Sequence, residues 1–154
     1  MRIESFIKDS QKLTSLFGGW PSFHDAEVVD LHFWRGDVKQ GNWDDRNILP
    51  VLTIKMYVLE ATQPGASHSG NDVLVTLRFH DVNDFKMEGF NHQNAILGFS
   101  ISIQKRGKFK GGENLPPYLV VQFQPAFGMS ASFRCFRIEV IDAVRCSDEG
   151  KMYA

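Results

Sequence analysis

The stretch PVLTIKMYVLE, residues 50–60, alternates apolar and polar side chains from Leu52 to Val58. Polar or charged side chains stand at Thr53, Lys55 and Tyr57. The apolar positions between them are Leu52, Ile54, Met56 and Val58. A period of two residues is that of a β-strand with one buried face. The stretch therefore predicts a strand that covers a hydrophobic core.

The same period recurs on both sides of this stretch, in five further segments. They are residues 25–35, 72–80, 95–104, 118–124 and 133–140. The loops between them are rich in turn residues and contain no helix long enough for a parallel crossover, which favours antiparallel pairing. We predict a mainly β protein, an antiparallel sheet or sandwich of about six strands. An α+β fold is the alternative.

Three details of side-chain facing complete this prediction. In the first strand the alternation places Val29, Leu31 and Phe33 on the core side, and in the fourth it places Leu97 there. In the last segment the apolar phase slips by one near Phe136 and Arg137, which we interpret as a β-bulge.

The N-terminal residues show helical spacing instead. Leu13, Leu16 and Phe17 lie at i, i+3 and i+4, with Ser10 as a candidate N-cap and Gly18 as the stop. This predicts one short helix. Residues 3–7 carry a similar spacing and suggest a preceding helical turn.

Composition is that of a globular protein: 154 residues, 43% hydrophobic and 23% charged. We expect a single domain over residues 1–154 and, because no apolar run has the length of a membrane span, a cytoplasmic location without membrane contact. Two cysteines without a CxxC motif predict free thiols, with Cys135 buried in a strand.

Charge is balanced overall, at -1, but unevenly distributed along the chain. An acidic stretch covers residues 25–45, and a basic cluster follows at Lys105, Arg106, Lys108 and Lys110. The basic excess is too small for a nucleic-acid footprint, so no nucleic-acid partner is expected. Both charged regions are compatible with solvated surface or with a protein partner.

Two His-Asp pairs, His24-Asp25 and His80-Asp81, raise the question of a metal site. A divalent site would need ligands from both pairs, and so would need their strands to be neighbours. Hydrogen bonding of His24 and Asp25 to nearby backbone is the simpler interpretation. We expect no catalytic residue, no metal and no cofactor.

The densest motif is FGGWPSFHDAEV, residues 17–28. Its structural interpretation is an aromatic plug at one end of the core, with Trp20 and Phe23 largely buried around Pro21. Its functional interpretation is an exposed recognition site. The residues for which this choice stays open are Trp20, Pro21, Ser22, Phe23, His24, Asp25 and Glu27.

This motif resembles the opening signature of the immunity protein 50 family of bacterial polymorphic-toxin systems. Two later blocks are also similar to that family: the segment 77–101, which contains GFNHQN at residues 89–94, and FRCFRIEVIDA at residues 133–143. The resemblance implies a small, mostly β protein that binds and neutralises a cognate toxin domain without catalysis. It transfers no toxin-contacting residue.

Two other functions remain open: a metal-dependent hydrolase built on His24 and Asp25, and an adaptor or oligomerisation module that uses a sheet edge. The oligomeric state is open as well. Many toxin nucleases are basic because their substrates are polyanions, so the acidic side is the expected partner surface. Its candidate residues are Asp30, Asp37, Asp44 and Asp45.

Overall fold

The computed structural model describes residues 2–36, 49–59, 63 and 72–146. Within them the chain forms one helix, α1 (Gln11–Phe17), a 3-10 turn at Ile3–Phe6, and nine strands. The strands are β1 (Ile7–Lys8), β2 (Glu27–Trp34), β3 (Val51–Val58), β4 (Val73–His80), β5 (Asn83–Glu88), β6 (Ile96–Gln104), β7 (Tyr118–Pro125), β8 (Ser130–Cys135) and β9 (Arg137–Arg145).

The strands form two sheets. The first sheet has the order β1-β9-β4-β3-β2, and the second has the order β5-β8-β7-β6. Every pair is antiparallel except β1 with β9, which is parallel. The predicted mainly β class is confirmed, with a short N-terminal helix. The short edge strands β1 and β5 were not predicted, because neither carries a long apolar alternation.

One hydrophobic cluster fills the space between the sheets. The period of two in β3 and β4 is the reason, since it turns Leu52, Ile54, Met56 and Leu77 inward, all without exposure. Phe79 of the first sheet makes an edge contact with Phe133 of the second, with ring centroids 4.9 Å apart. The aromatic contacts therefore run across the two sheets.

The phase slip near Phe136 is a change of sheet, so the predicted bulge there is wrong. Cys135 ends β8 in the second sheet, and Arg137 begins β9 in the first. Beside this crossing, β4 continues through Asp81 into β5 of the second sheet, and the Phe136 amide donates to the His80 carbonyl at 3.1 Å. The slip allows the apolar side chains on both sides of the crossing to face the core.

Two bulges lie where unbroken alternation was predicted. The register of β2 shifts between Val28 and Asp30, so Val28 is fully buried and Val29 is the extra residue. The register of β6 shifts between Ile96 and Gly98, and Leu97 is 52% exposed instead of inward. In both strands the inserted residue moves the preceding one into the core.

The N-terminal helix begins and ends as predicted, but its cap differs. Ser10 occupies the N-cap position without a side-chain hydrogen bond, while Gly18 ends the helix at φ +75°. Leu13 is fully buried in the core. The predicted earlier turn is a 3-10 turn followed by β1. Among the described residues no helix is long and apolar enough to cross a membrane.

Cys135 and Cys146 are both free thiols, and both are buried. Burial, reinforced by the negative charge of Asp81, raises the pKa of Cys135 to about 12. Since the thiolate is the reactive form, this confirms a buried structural thiol.

Candidate functional site

Residues 25–28 and 94–96 meet in a joint between the two sheets. The amide of Asp25 donates to the Ile96 carbonyl at 2.9 Å, and the Ile96 amide donates to the Ala26 carbonyl at 2.9 Å. The Val28 amide donates to the Asn94 carbonyl at 3.0 Å. These bonds connect β2, an edge strand of the first sheet, to β6, an edge strand of the second.

Aromatic side chains pack next to the joint. Phe23 is 4% exposed and makes an edge contact with Phe99 at 5.0 Å between centroids. Trp20 packs on Phe23 at 5.6 Å but stays partly exposed, so the prediction of burial is confirmed for Phe23 and only partly for Trp20. Pro21, which lies between these two residues in the sequence, is buried as well. The plug interpretation therefore accounts for these three residues.

Ser22 is held through its backbone. The side chain of Gln63 donates to the Ser22 carbonyl at 2.7 Å and accepts from the Ser22 amide at 2.8 Å. The hydroxyl of Ser22 accepts from the His24 amide at 3.2 Å. Gln63 was not predicted, because a glutamine in a polar loop carries no sequence signal for a contact with residue 22.

His24 and Asp25 lie on the outside of the joint, with their side chains 52% and 51% exposed. Nδ1 of His24 lies 3.0 Å from the carbonyl oxygen of Leu97. A carbonyl only accepts, so Nδ1 carries the proton. Nε2 lies 3.5 Å from a carboxylate oxygen of Asp25. Asp25 has a φ of +63°, a left-handed conformation that aspartate tolerates better than most residues.

Glu27 and Asn94 stabilise the joint through hydrogen bonds. The amide of Asn94 donates to the Glu27 carboxylate. The side chain of Asn94, 3% exposed, donates to the carbonyls of Val28 at 3.2 Å and Asn91 at 2.7 Å. Its Oδ1 accepts from the Asn91 amide at 2.9 Å. Buried asparagine with all these partners is structural, so Glu27 serves the joint as well.

Two glycines allow the chain to pass close to this network. Gly128 has a φ of +78°, and a Cβ there would lie 2.2 Å from the Gln93 carbonyl oxygen and 2.8 Å from Oδ1 of Asn94. A Cβ on Gly89 would lie 2.6 Å from the Gly128 carbonyl oxygen. Both positions therefore require glycine for space as well as for conformation.

The two His-Asp pairs lie far apart. Trp34, at the far end of β2 from His24, is in register with Val51, and Val51 is in register with His80. Strand β3 also separates β2 from β4. The neighbouring strands that a shared metal site requires are therefore not found. In the described part of the chain, no group of three or more His, Cys, Asp or Glu side chains has the geometry of a metal site.

A family model for immunity protein 50 matches residues 9–144, most of the chain. The chain belongs to the immunity protein 50 family. The suspected resemblance is thereby confirmed, and with it an immunity-protein role. No curated protein and no solved structure gave a significant match.

Two of the blocks that resemble immunity protein 50 are the two halves of the joint. The opening signature contributes residues 25–28, and the GFNHQN block contributes Asn91 and Asn94. Residues more than sixty positions apart are joined there by hydrogen bonds. Most signature residues of this immunity protein 50 member thus hold its two sheets together, while His24 and Asp25 keep half-exposed side chains.

The outer face of the first sheet, turned away from the core, carries charged side chains from several strands. Asp30 of β2 stands there opposite Lys55 of β3. The next row across the sheet contains His32, Thr53, Arg78, Glu139 and Lys8. Asp37, Asp44 and Asp45, the other acidic candidates, lie outside the described residues.

Glu139 is the centre of a charge cluster on this face. Its carboxylate lies 3.2 Å from Nε2 of His80 and 3.7 Å from Nζ of Lys8. Burial alone would raise the pKa of Glu139, but the hydrogen bond from His80 and the charges of Lys8, His80 and Arg137 outweigh it, and the pKa is lowered. This cluster was not predicted, because its members come from three separate strands.

The basic cluster occupies a different part of the surface. Lys105, Arg106 and Lys108 line a cleft of about 470 Å³ together with apolar side chains that include Phe6 and Leu115. The guanidinium of Arg106 lies over the Tyr118 ring, 4.6 Å from its centroid. Arg106 is therefore partly a packing residue.

Proposed function

We propose that this protein neutralises a cognate toxin domain by binding it, in the cytoplasm of a bacterium that carries a polymorphic-toxin system. The observation that carries the proposal is the immunity protein 50 match over residues 9–144. The toxin domain is the partner in this proposal, and nucleic acid and membrane are not.

Binding without catalysis agrees with the geometry of the signature. His24 contacts protein atoms through both ring nitrogens, the Leu97 carbonyl and the Asp25 carboxylate. A hydrolase on His24 and Asp25 would need further ligands, and the other His-Asp pair lies at the opposite end of the sheet. What the signature does provide is a rigid connection between two sheets, which preorganises a binding surface.

The test uses the toxin domain encoded next to the gene for this chain. Co-expression of the chain should restore growth to cells that produce the toxin domain, and the two purified proteins should form a 1:1 complex by calorimetry. A non-cognate toxin domain is the control. Protection that disappears with chelator or with His24→Ala, in a folded protein, would support the hydrolase; absence of both binding and protection would end the proposal.

An adaptor or oligomerisation role is favoured by one observation. Beyond Ile96, β6 pairs only with β7 among the described residues, and its sequence ILGFSISIQ contains no charge and no proline. Natural edge strands usually carry a charged residue or a proline, which prevents pairing with a strand of another chain. Light scattering over a concentration series, with Ser100→Lys as the matched variant, tests whether this edge mediates self-association.

A further inference from the structure

The middle of the first sheet carries an arginine on its outer face. Arg78 lies on β4, the central strand of five. It is in register with Thr53 of β3 and Glu139 of β9. The other residues of β4, VLVTLRFH, are apolar, a threonine and a histidine. Arg78 is therefore the one permanently charged residue of this strand.

Only one of the three guanidinium nitrogens of Arg78 has a hydrogen-bond acceptor among the described residues. Its Nε donates to the hydroxyl of Thr53 at 3.3 Å. Within residues 2–36, 49–59, 63 and 72–146, no carboxylate lies within salt-bridge distance of it, and its two terminal nitrogens have no acceptor. These nitrogens supply the paired donors that fit a carboxylate in two parallel hydrogen bonds.

A cavity of about 390 Å³ adjoins this arginine. Its walls are His32, Trp34, Val51, Thr53, Arg78 and His80. Trp34 is 45% exposed, and tryptophan and arginine are the side chains that most often dominate binding energy at protein interfaces. The walls contain no carboxylate, and Arg78 is the one wall side chain with a permanent charge.

The carboxylate in register with Arg78 on the neighbouring strand already has partners. Glu139 lies 3.2 Å from His80 and 3.7 Å from Lys8, on the side of β4 away from Thr53. Each carboxylate oxygen of Glu139 thus already has a partner, Oε2 with His80 and Oε1 with Lys8. No carboxylate of the described residues pairs with Arg78, so its open donors suit a partner that brings one, by charge complementarity.

We propose that the outer face of the first sheet is the docking face for the toxin domain, and that the cavity beside Arg78 receives an aspartate or glutamate side chain of that domain. Arg78 binds the carboxylate with both terminal nitrogens, and Trp34 and Val51 contact its aliphatic stem. Asp30 and Lys55 lie one row away on the same face and contribute to its rim. This proposal rests on the proposed function, since the partner is the toxin.

The experiment compares three folded proteins for binding to the purified toxin domain by surface plasmon resonance. Arg78→Gln keeps a donor for Thr53 but loses the charge and the paired nitrogens. Lys105→Gln removes one positive charge on the basic cleft and is the matched control. We expect Arg78→Gln to raise Kd by about tenfold or more, mainly through faster dissociation, and Lys105→Gln to change it less than about twofold.

Trp34→Ala provides a second variant that does not disturb the centre of the sheet, because Trp34 is at the end of an edge strand. It should also accelerate dissociation. Hydrogen exchange on the complex should show protection of β2 and β4 relative to the free chain, and little change at residues 105–110.

The outcomes separate the two proposals. If the wild-type chain does not bind the toxin domain, the proposed function fails. If the wild-type chain binds and both Arg78→Gln and Trp34→Ala bind equally well, the docking face is wrong while the function stands. Binding of a single-stranded oligonucleotide that depends on Arg78, without toxin binding, would show that the cavity takes phosphate and overturn the proposal.

Discussion

Phe23 and His24 are adjacent in the chain and have opposite roles. The Phe23 ring is buried against Phe99, whereas the imidazole of His24 is half exposed and held by the Leu97 carbonyl. Both residues belong to a turn over residues 23–26, in which the Phe23 carbonyl accepts from the Ala26 amide at 3.0 Å. The turn directs their side chains to different sides. Within one short motif, Phe23 therefore packs in the core while its neighbour His24 lies at the surface.

Replacing Phe23 should destabilise the protein more than replacing Trp20. Phe23→Ala leaves a cavity in a closed aromatic cluster and should lower the free energy of unfolding by about 3–5 kcal/mol. Trp20→Ala removes a partly exposed ring and should cost roughly half as much. Urea denaturation followed by circular dichroism measures both. A larger loss for Trp20→Ala would contradict the plug geometry.

Glu139 should make stability depend on pH in the acidic range. The pKa of Glu139 is lowered in the folded chain, so its contribution is present above the unfolded pKa and is lost as the pH falls through the folded pKa. The stability difference between wild type and Glu139→Gln should thus shrink from pH 5 to pH 3. Thermal melts at several pH values check this, with Glu88→Gln, on the exposed end of β5, as the control. A difference that grows towards pH 3 would be the wrong sign.

Strands β2 and β6 are connected elements although they belong to different sheets. Each contains a bulge close to the joint, at Val29 and Leu97, and the hydrogen bonds at residues 25–28 and 94–96 lie just before these bulges. A bulge increases the local twist of a strand. The two strands can therefore pair at their first residues and then diverge into separate sheets.

Gly128→Ala should weaken this joint. Both Gly128 and Gly112 have positive φ, but a Cβ at Gly112 meets no atom within 4 Å, whereas at Gly128 it meets the Gln93 carbonyl at 2.2 Å. Gly112→Ala should cost about 1–2 kcal/mol from conformation alone, and Gly128→Ala a further 1–3 kcal/mol from overpacking. Denaturation midpoints measure the difference. Hydrogen exchange should show loss of protection at residues 94–96 only for Gly128→Ala, and equal effects of the two variants would contradict the close approach.

The molecule has two separate charged regions, a basic cleft and a sheet face that carries both signs of charge. The basic cleft is formed by Phe6, the end of β6 and the segment that follows β6. The outer face of the first sheet carries Asp30 next to Lys55, and Arg78 in the next row. Long-range charge acts mainly on the rate of association, and close pairs act mainly on dissociation. The acidic residues and Arg78 are therefore expected to affect different rate constants.

Neutralising Asp37, Asp44 and Asp45 together should slow association with a basic toxin domain. The expected reason is weaker electrostatic attraction, so the salt dependence of the association rate should flatten as well. Stopped-flow mixing at several salt concentrations measures both. Lys105, Lys108 and Lys110 changed to glutamine form the control; Arg106 is left in place because it packs on Tyr118. Slower association for the lysine variant alone would indicate an acidic partner surface.

Local pattern was sufficient for the strands and the helix end. The period of two in β3 and β4, the Gly18 stop and the burial of Phe23 and Cys135 depend on neighbours in sequence, so they could be predicted. The bulges at Val29 and Leu97 and the change of sheet at Phe136 could not, since an extra residue has the same local pattern whether the chain bends or crosses to another layer. The joint, the Glu139 cluster and the Arg78 cavity bring together side chains from distant strands. Strand order and register create these contacts, and neither is encoded in the period of any single strand.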